Sequence, residues 1–256
     1  MREKKTYSRF IQNVYQWRHF EKGRMIQMLH HCIEHDITTY DTANFSGTGQ
    51  VNQTFGTALS ESGLSRDEIQ LVGRHHRSTN PNLVEWIEEL LLNLKTDYVD
   101  LLLLDFEELT PERKTNLDQL LFQGKILEIG AFNFSKDELD SFEIPLKANL
   151  TKSPLTSSEV MKDLHFMEKP SEEITHLIWF ENNKNYPQGR NRLIMEWCEK
   201  YNLDRDQLLL AWVLKHPAHL HPILLYSDYD QIDLAVHSKE VRLDPMDWEK
   251  IKLLLT

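Results

Sequence analysis

Cysteine is scarce in this chain, positive charge is outweighed and long apolar runs are missing; each shortage excludes something. The 256 residues include two cysteines, Cys32 and Cys198, far apart and within amphipathic helical patterns. They lack metal-ligand spacing, so both read as reduced core thiols of a cytoplasmic protein. Lysine and arginine number 29 against 40 aspartates and glutamates, for a formal net charge of −11. Nucleic-acid binding wants a basic footprint, and that class is set aside. No apolar stretch approaches the roughly 20 residues needed to span a bilayer. The strongest run, Leu101 to Leu104, has the length of a strand. The amino terminus, Met1-Arg2-Glu3-Lys4-Lys5, is charged and lacks the apolar segment of a secretory signal. Without an internal repeat, a low-complexity tract or a linker, residues 1–256 read as one domain. Hydrophobic content of 40% with 27% charged residues is that of an ordinary globular chain with a sizeable core.

Apolar strands alternate with helical periodicity along the chain, the pattern of a parallel α/β architecture. Phe10 to Trp17 reads as a first strand, and Met25, Met28, Leu29, Cys32 and Ile33 mark one face of a first helix. Further strands are expected at Thr38–Thr42, Ile69–Arg74, Tyr98–Leu104, Ile126–Ala131, Leu146–Leu150, Thr175–Phe180 and Pro222–Tyr226. Helices are expected near 51–62, from Asn80-Pro81 to Leu94, after Thr110-Pro111-Glu112, and near 190–201, 204–215, 229–237 and 245–254. A length of about 250 residues suits one (β/α)8 barrel.

Four stretches then carry a family likeness from about residue 36 onward. They are Tyr40-Asp41-Thr42-Ala43-Asn44-Phe45-Ser46-Gly47, Asp97-Tyr98-Val99-Asp100 with the following leucines, Gly124-Lys125-Ile126 through Asn133-Phe134, and Pro222-Ile223-Leu224-Leu225-Tyr226-Ser227. In this order and spacing the chain resembles the aldo-keto reductases, nearest the YdhF-like bacterial oxidoreductase branch. The resemblance implies a (β/α)8 TIM barrel, here with shortened loops at the mouth, and hydride transfer from NADPH to a carbonyl by an aspartate, a tyrosine, a lysine and a histidine. Asp41 matches the aspartate. The tyrosine falls at Ser46, the lysine at Arg74 and the histidine at Asp105. A serine hydroxyl is too weak an acid to replace a phenol, since a general acid must be tunable toward the operating pH. Arginine holds its proton and has a forked shape, and it does not stand in for lysine beside a tuned tyrosine. Aspartate in place of histidine repels an oxyanion instead of polarising a carbonyl.

The cofactor positions that the resemblance assigns have changed in parallel. Of the pair holding the nicotinamide carboxamide after strand five, the serine is Phe132 and only Asn133 remains. The pair on strand six falls at Ala148 and Asn149. Where family members offer glycine, hydroxyls and a basic residue to phosphates, this chain has Leu225, Tyr226, Ser227 and Asp228, with Gln231 in place of a downstream arginine. Glycine lets backbone amides approach phosphate and basic side chains neutralise it; Leu225 and Asp228 oppose both. The expectation is no cofactor or weak NADP(H) binding, with Asn133 and Asn149 as remnants.

Other polar residues have plainer readings. Asp41 and Arg74, at the ends of adjacent strands, are either a remnant of an active site or a buried charge pair kept because removing one partner is costly; the second is favoured. His75 and His76 after strand three, with Asp105, Glu107 and Glu108 after strand four, would allow a metal or hydrolytic centre, but consecutive residues of an extended segment point to opposite sides. His216, His219 and His221 read as solvated loop residues, and Trp179, Phe180, Trp197 and Trp212 as packing. The polar stretch Asn182-Asn183-Lys184-Asn185-Tyr186 adds to an open mouth, which shields hydride transfer poorly from water. Three functions stand: foremost an inactive barrel with a binding or regulatory role, taking a small molecule at its mouth or a protein partner; next an NADP(H)-dependent oxidoreductase with a rearranged site, for instance with Tyr15 or Tyr226 reaching into the mouth; and last a new chemistry around Asp41, Arg74, His75 and Asp105.

Overall fold

The computed structural model describes residues 6–42, 49–75, 82–105, 111–141, 144–151, 174–180 and 188–255. Eight parallel strands close into one barrel in sequence order. They are β1 (Ile11–Asn13), β2 (Thr39–Asp41), β3 (Gln70–Arg74), β4 (Val99–Asp105), β5 (Ile126–Phe132), β6 (Ala148–Thr151), β7 (Thr175–Phe180) and β8 (His221–Leu224). The seam closes where β8 pairs with β1, Ile223 opposite Ile11. Nine helices are described: α1 (Lys22–Glu34), α2 (Gln50–Glu61), α3 (Leu83–Leu94), α4 (Pro111–Phe122), α5 (Lys136–Ser141), α6 (Gln188–Tyr201), α7 (Arg205–Leu214), α8 (Tyr229–His237) and α9 (Pro245–Leu255). Among the described residues no helix is long and apolar enough to cross a membrane.

Period-two alternation divides the strand residues between two cores. Ile11, Val72, Leu101, Leu103, Phe132, Ala148, Leu150, Leu177 and Ile223 fill the lumen. Their alternates pack outward under the helices, where Tyr40, Leu71, Leu102, Leu104, Ile129, Ile178 and Leu224 meet the apolar helix faces. The lumen has room for its leucines because β5 carries Gly130. A Cβ there would sit 2.7 Å from Leu103 Cδ2 and 2.9 Å from the Ala148 carbonyl. A second contact rests on Gly56 of α2, where a Cβ would lie 2.4 Å from the Asn93 carbonyl oxygen at the end of α3.

The first strand is shorter than its sequence implies. After Asn13 the backbone enters a 3-10 turn over Val14–Trp17, which turns Trp17 outward. The indole packs against Tyr40 and Phe55 and donates to the Tyr226 carbonyl at 3.2 Å, so burying a large ring ends the strand early. The helix expected from Asn80-Pro81 is described from Leu83, with the Asn82 side chain accepting from the Glu85 amide; Asn80 and Pro81 lie outside the described residues. Helix α5 was not foreseen, although Ser135-Lys136-Asp137-Glu138 is a capping box whose serine and glutamate bond one another's amides. Both cysteines are free and buried. The three histidines before β8 need correcting. His216 is buried against the rings of Trp212 and Trp248, and His221 opens β8 with Nδ1 2.9 Å from the Ser8 carbonyl; only His219 is exposed.

Candidate active site at the barrel mouth

The carboxyl ends of the strands bring Asn13, Asp41, Arg74, Asp105, Phe132 and Trp179 together. Their positions follow from the alternation. Asn13 stands two residues beyond lumen-facing Ile11, Arg74 two beyond Val72, Asp105 two beyond Leu103 and Trp179 two beyond Leu177. Register sets the neighbours side by side: Asn13 with Asp41, and Asp105 with Phe132.

Asp41 is fully buried. Its Oδ2 accepts from Asn13 Nδ2 at 2.7 Å and lies 4.0 Å from Arg74 Nη2. The Arg74 side chain is 2% exposed. Its guanidinium carbon stands 4.6 Å from the Trp179 ring centroid and 4.9 Å from that of Phe132, so the cation lies against two aromatic faces. Burial pulls the Arg74 pKa below the usual arginine value, and Asp41 and then Asp105 push it back up. A guanidinium so placed stays protonated and neither gives nor takes a proton in a reaction. The set can hold charge and shape; its acids are the carboxyl groups of Asp41 and Asp105, and these six residues include neither a phenol nor an imidazole.

The remaining sequence candidates are placed as follows. Ser46 lies outside the described residues, as do His76, Glu107, Glu108 and residues 182–186. Asn133 follows β5 with φ of 58°, is exposed, and its amide donates to the Leu150 carbonyl. Asn149 alternates with lumen-facing Ala148 and Leu150, so it faces away from the lumen. Its Nδ2 donates to the Phe134 carbonyl at 3.2 Å. His75 is buried against the Trp86 ring of α3, away from the mouth. Tyr226 also lies in the outer core, its hydroxyl 3.5 Å from Asp206 Oδ2 of α7. Burial and then Asp206 raise its pKa, which weakens it as a proton donor. Tyr15 packs at the edge of the outer core with the Arg18 guanidinium over its ring.

After β8, Asp228 caps α8: its Oδ1 accepts from the Gln231 amide at 2.9 Å, while Gln231 Oε1 accepts from the Ser227 amide. The helix start, whose partial positive charge favours anions, is thereby occupied by the chain's own carboxylate. Two residues of the mouth escaped the sequence reading. Asn13 was hidden inside a strand taken to run on to Trp17. Trp179 was read as packing, although its step from Leu177 already put it on the lumen face.

A family model described as the aldo/keto reductase family matches residues 12–164. The chain is 25% identical over 280 aligned positions to the uncharacterized oxidoreductase YcsN of Bacillus subtilis, covering 96% of this chain and 93% of that one. It is 22% identical over 283 positions to the oxidoreductase YdhF of Escherichia coli, with the same coverages of 96% and 93%. A crystal structure of an aldo-keto reductase from Klebsiella pneumoniae in complex with NADPH superposes with a TM-score of 0.77 over 99% of this chain and 96% of its own, at 21% identity; it shows the shared fold.

Proposed function

Since the chain belongs to the aldo/keto reductase family, we propose that it is a member that no longer performs hydride transfer and has a binding or regulatory role in the cytoplasm, taking a small molecule at the mouth or a protein partner. The observation that carries this reading is the Arg74 guanidinium set against Phe132 and Trp179. A nicotinamide ring entering the mouth needs an aromatic or polar surface to lie on, and here two such faces are already covered by a cation. Asp228 at the start of α8 places a carboxylate where a phosphate would have to be accepted. With Phe132 and Ala148 at positions the likeness gives to carboxamide partners, the residues fit NADP(H) poorly, and no chemical step is assigned to it. Ser46, Arg74 and Asp105 are read as substituted tetrad positions beside a retained Asp41.

The test is quenching of tryptophan fluorescence on titration with NADPH, with Trp179 as the reporter at the mouth. We expect no saturation in the low micromolar range; a dissociation constant of about 1 μM, near −8 kcal/mol, would overturn the reading. The alternative, an NADP(H)-dependent carbonyl reductase with a rearranged site, draws on the NADPH held by the Klebsiella neighbour. Steady NADPH oxidation with an aldehyde or quinone, lost in Asp41→Ala, would establish it.

A further inference from the structure

On the outer surface, remote from the mouth, two histidines and an aspartate converge where α1 meets α8. His31 lies in the last turn of α1 and His35 immediately follows it, four residues on and so on the same face. Asp233 reaches them from the middle of α8. Its Oδ1 is 2.7 Å from His31 Nε2 and 3.1 Å from His35 Nε2, and the three potential ligand atoms all lie within 4.8 Å of one another. We propose that His31, His35 and Asp233 form a binding site for a borderline divalent transition metal, with zinc as the best match.

Tetrahedral zinc with bonds of about 2.0–2.1 Å places its ligand atoms about 3.3 Å apart. The present spacings reach that value by side-chain shifts of a few tenths of an ångström from Asp233 and a modest closing between the imidazoles. Two imidazoles with one carboxylate suit zinc, copper or nickel, whereas magnesium and calcium want oxygen ligands throughout. The imidazoles are held before any ion arrives. The His31 ring packs 4.7 Å from that of His35 and 4.6 Å from that of Tyr229, and Arg24 lies over the Tyr229 ring at 4.3 Å. The Asp233 carbonyl is bonded by His237 Nδ1 at 2.7 Å. Side-chain exposures of 19%, 30% and 40% leave a path for the ion and a water as fourth ligand. An ion here would join the helix after β1 to the helix after β8, across the seam that closes the barrel.

The experiment uses the whole chain freed of metal with a chelator and dialysed. Zinc is titrated in competition with a chromophoric chelator, and melting is followed with and without zinc. One zinc per chain and a higher Tm with zinc are expected. His35→Gln and Asp233→Asn should each weaken binding by at least about tenfold and abolish the zinc-dependent rise in Tm. His30→Gln, an exposed neighbour that is not a member of the cluster, should leave both unchanged. Cobalt(II) should give the intense visible bands of a tetrahedral site in the wild type and lose them in Asp233→Asn. Metal-free melting of each variant at the wild-type temperature establishes that it folds. Absence of zinc binding, or equal binding in His35→Gln and Asp233→Asn, would overturn the proposal, as would equal competition by magnesium.

Discussion

Replacing Asp41 by asparagine tests whether the charges at the mouth are a buried, mutually dependent set. The substitution keeps the side-chain shape and an oxygen able to accept from Asn13 Nδ2, so it removes little but the negative charge. At the observed 4.0 Å separation, two unit charges attract by about 4 kcal/mol at an effective dielectric constant of 20. Arg74 retains Asp105 as a second counter-charge, which lowers the loss. Breaking a buried pair generally costs about 3–5 kcal/mol, so the expected destabilisation is about 3 kcal/mol, at the lower end. In urea this would move the midpoint down by about 1 M. Arg74→Met should cost a similar amount by leaving Asp41 buried with Asn13. The double variant should then be more stable than the sum of the two single losses by about 1–3 kcal/mol, because neither charge is stranded. A loss below about 1 kcal/mol for Asp41→Asn, or an additive cycle, would refute the argument: Arg74 would then be solvated from the mouth.

Other consequences are equally open to measurement. Gly56→Ala should lower stability by more than the usual surface change, about 2 kcal/mol or more in urea unfolding, because its Cβ meets α3 backbone that cannot yield easily. Burial lowers the His176 pKa from 6.5 to about 4. The unfolded chain then binds the extra proton between those values, so stability should fall by up to about 3 kcal/mol as pH drops from 6.5 to 4, and His176→Gln should flatten that limb of a urea-midpoint profile. Ser46→Tyr, Arg74→Lys and Asp105→His together should not restore reductase activity, since positioning the donor supplies much of the rate; adding Phe132→Ser, Ala148→Asn and Asp228→Lys should tighten NADPH binding in the fluorescence titration.

The barrel was legible because its signal is carried by many residues at once. Thr175–Phe180 forms a strand over the same residues as expected, and most other strands shift by one or two. The departures have local causes. Trp17 has a strand-like sequence around it, yet its ring finds its place only in tertiary contact with Tyr40 and Phe55, which no periodicity reports. His216 sits in a loop-like sequence but is roofed by Trp212 and Trp248, two tryptophans 36 positions apart whose indoles exchange hydrogen bonds with one another's carbonyls. At the mouth, alternation put Arg74 and Asp105 on the lumen face. It did not say that a long side chain would cross from β3 to lie against an aromatic ring on β7. The zinc-type cluster was equally hidden, because His31 and His35 meet Asp233 only through the closure of the barrel.

The substitutions at the mouth make more physical sense together than one by one. Lysine to arginine at position 74, taken alone, would put a larger, forked cation into a site shaped for an ammonium. Here Phe132, at a position the likeness gives to serine, offers that cation a π face, and Trp179 offers another. Asp105, at a position it gives to histidine, adds a negative charge beside the one from Asp41. Asn13 bonds the Asp41 oxygen nearest the guanidinium, fixing the carboxylate in place. Phe132 and Asp105, at positions the likeness gives to other residues, thus both support the buried arginine. Restoring one family residue alone removes a support without making a catalyst, since Phe132→Ser uncovers the cation and Asp105→His takes away a counter-charge. On the proposed reading these residues act as one set, and a ligand entering the mouth would meet the half-buried Asp105 and Trp179 before the buried Arg74 and Asp41.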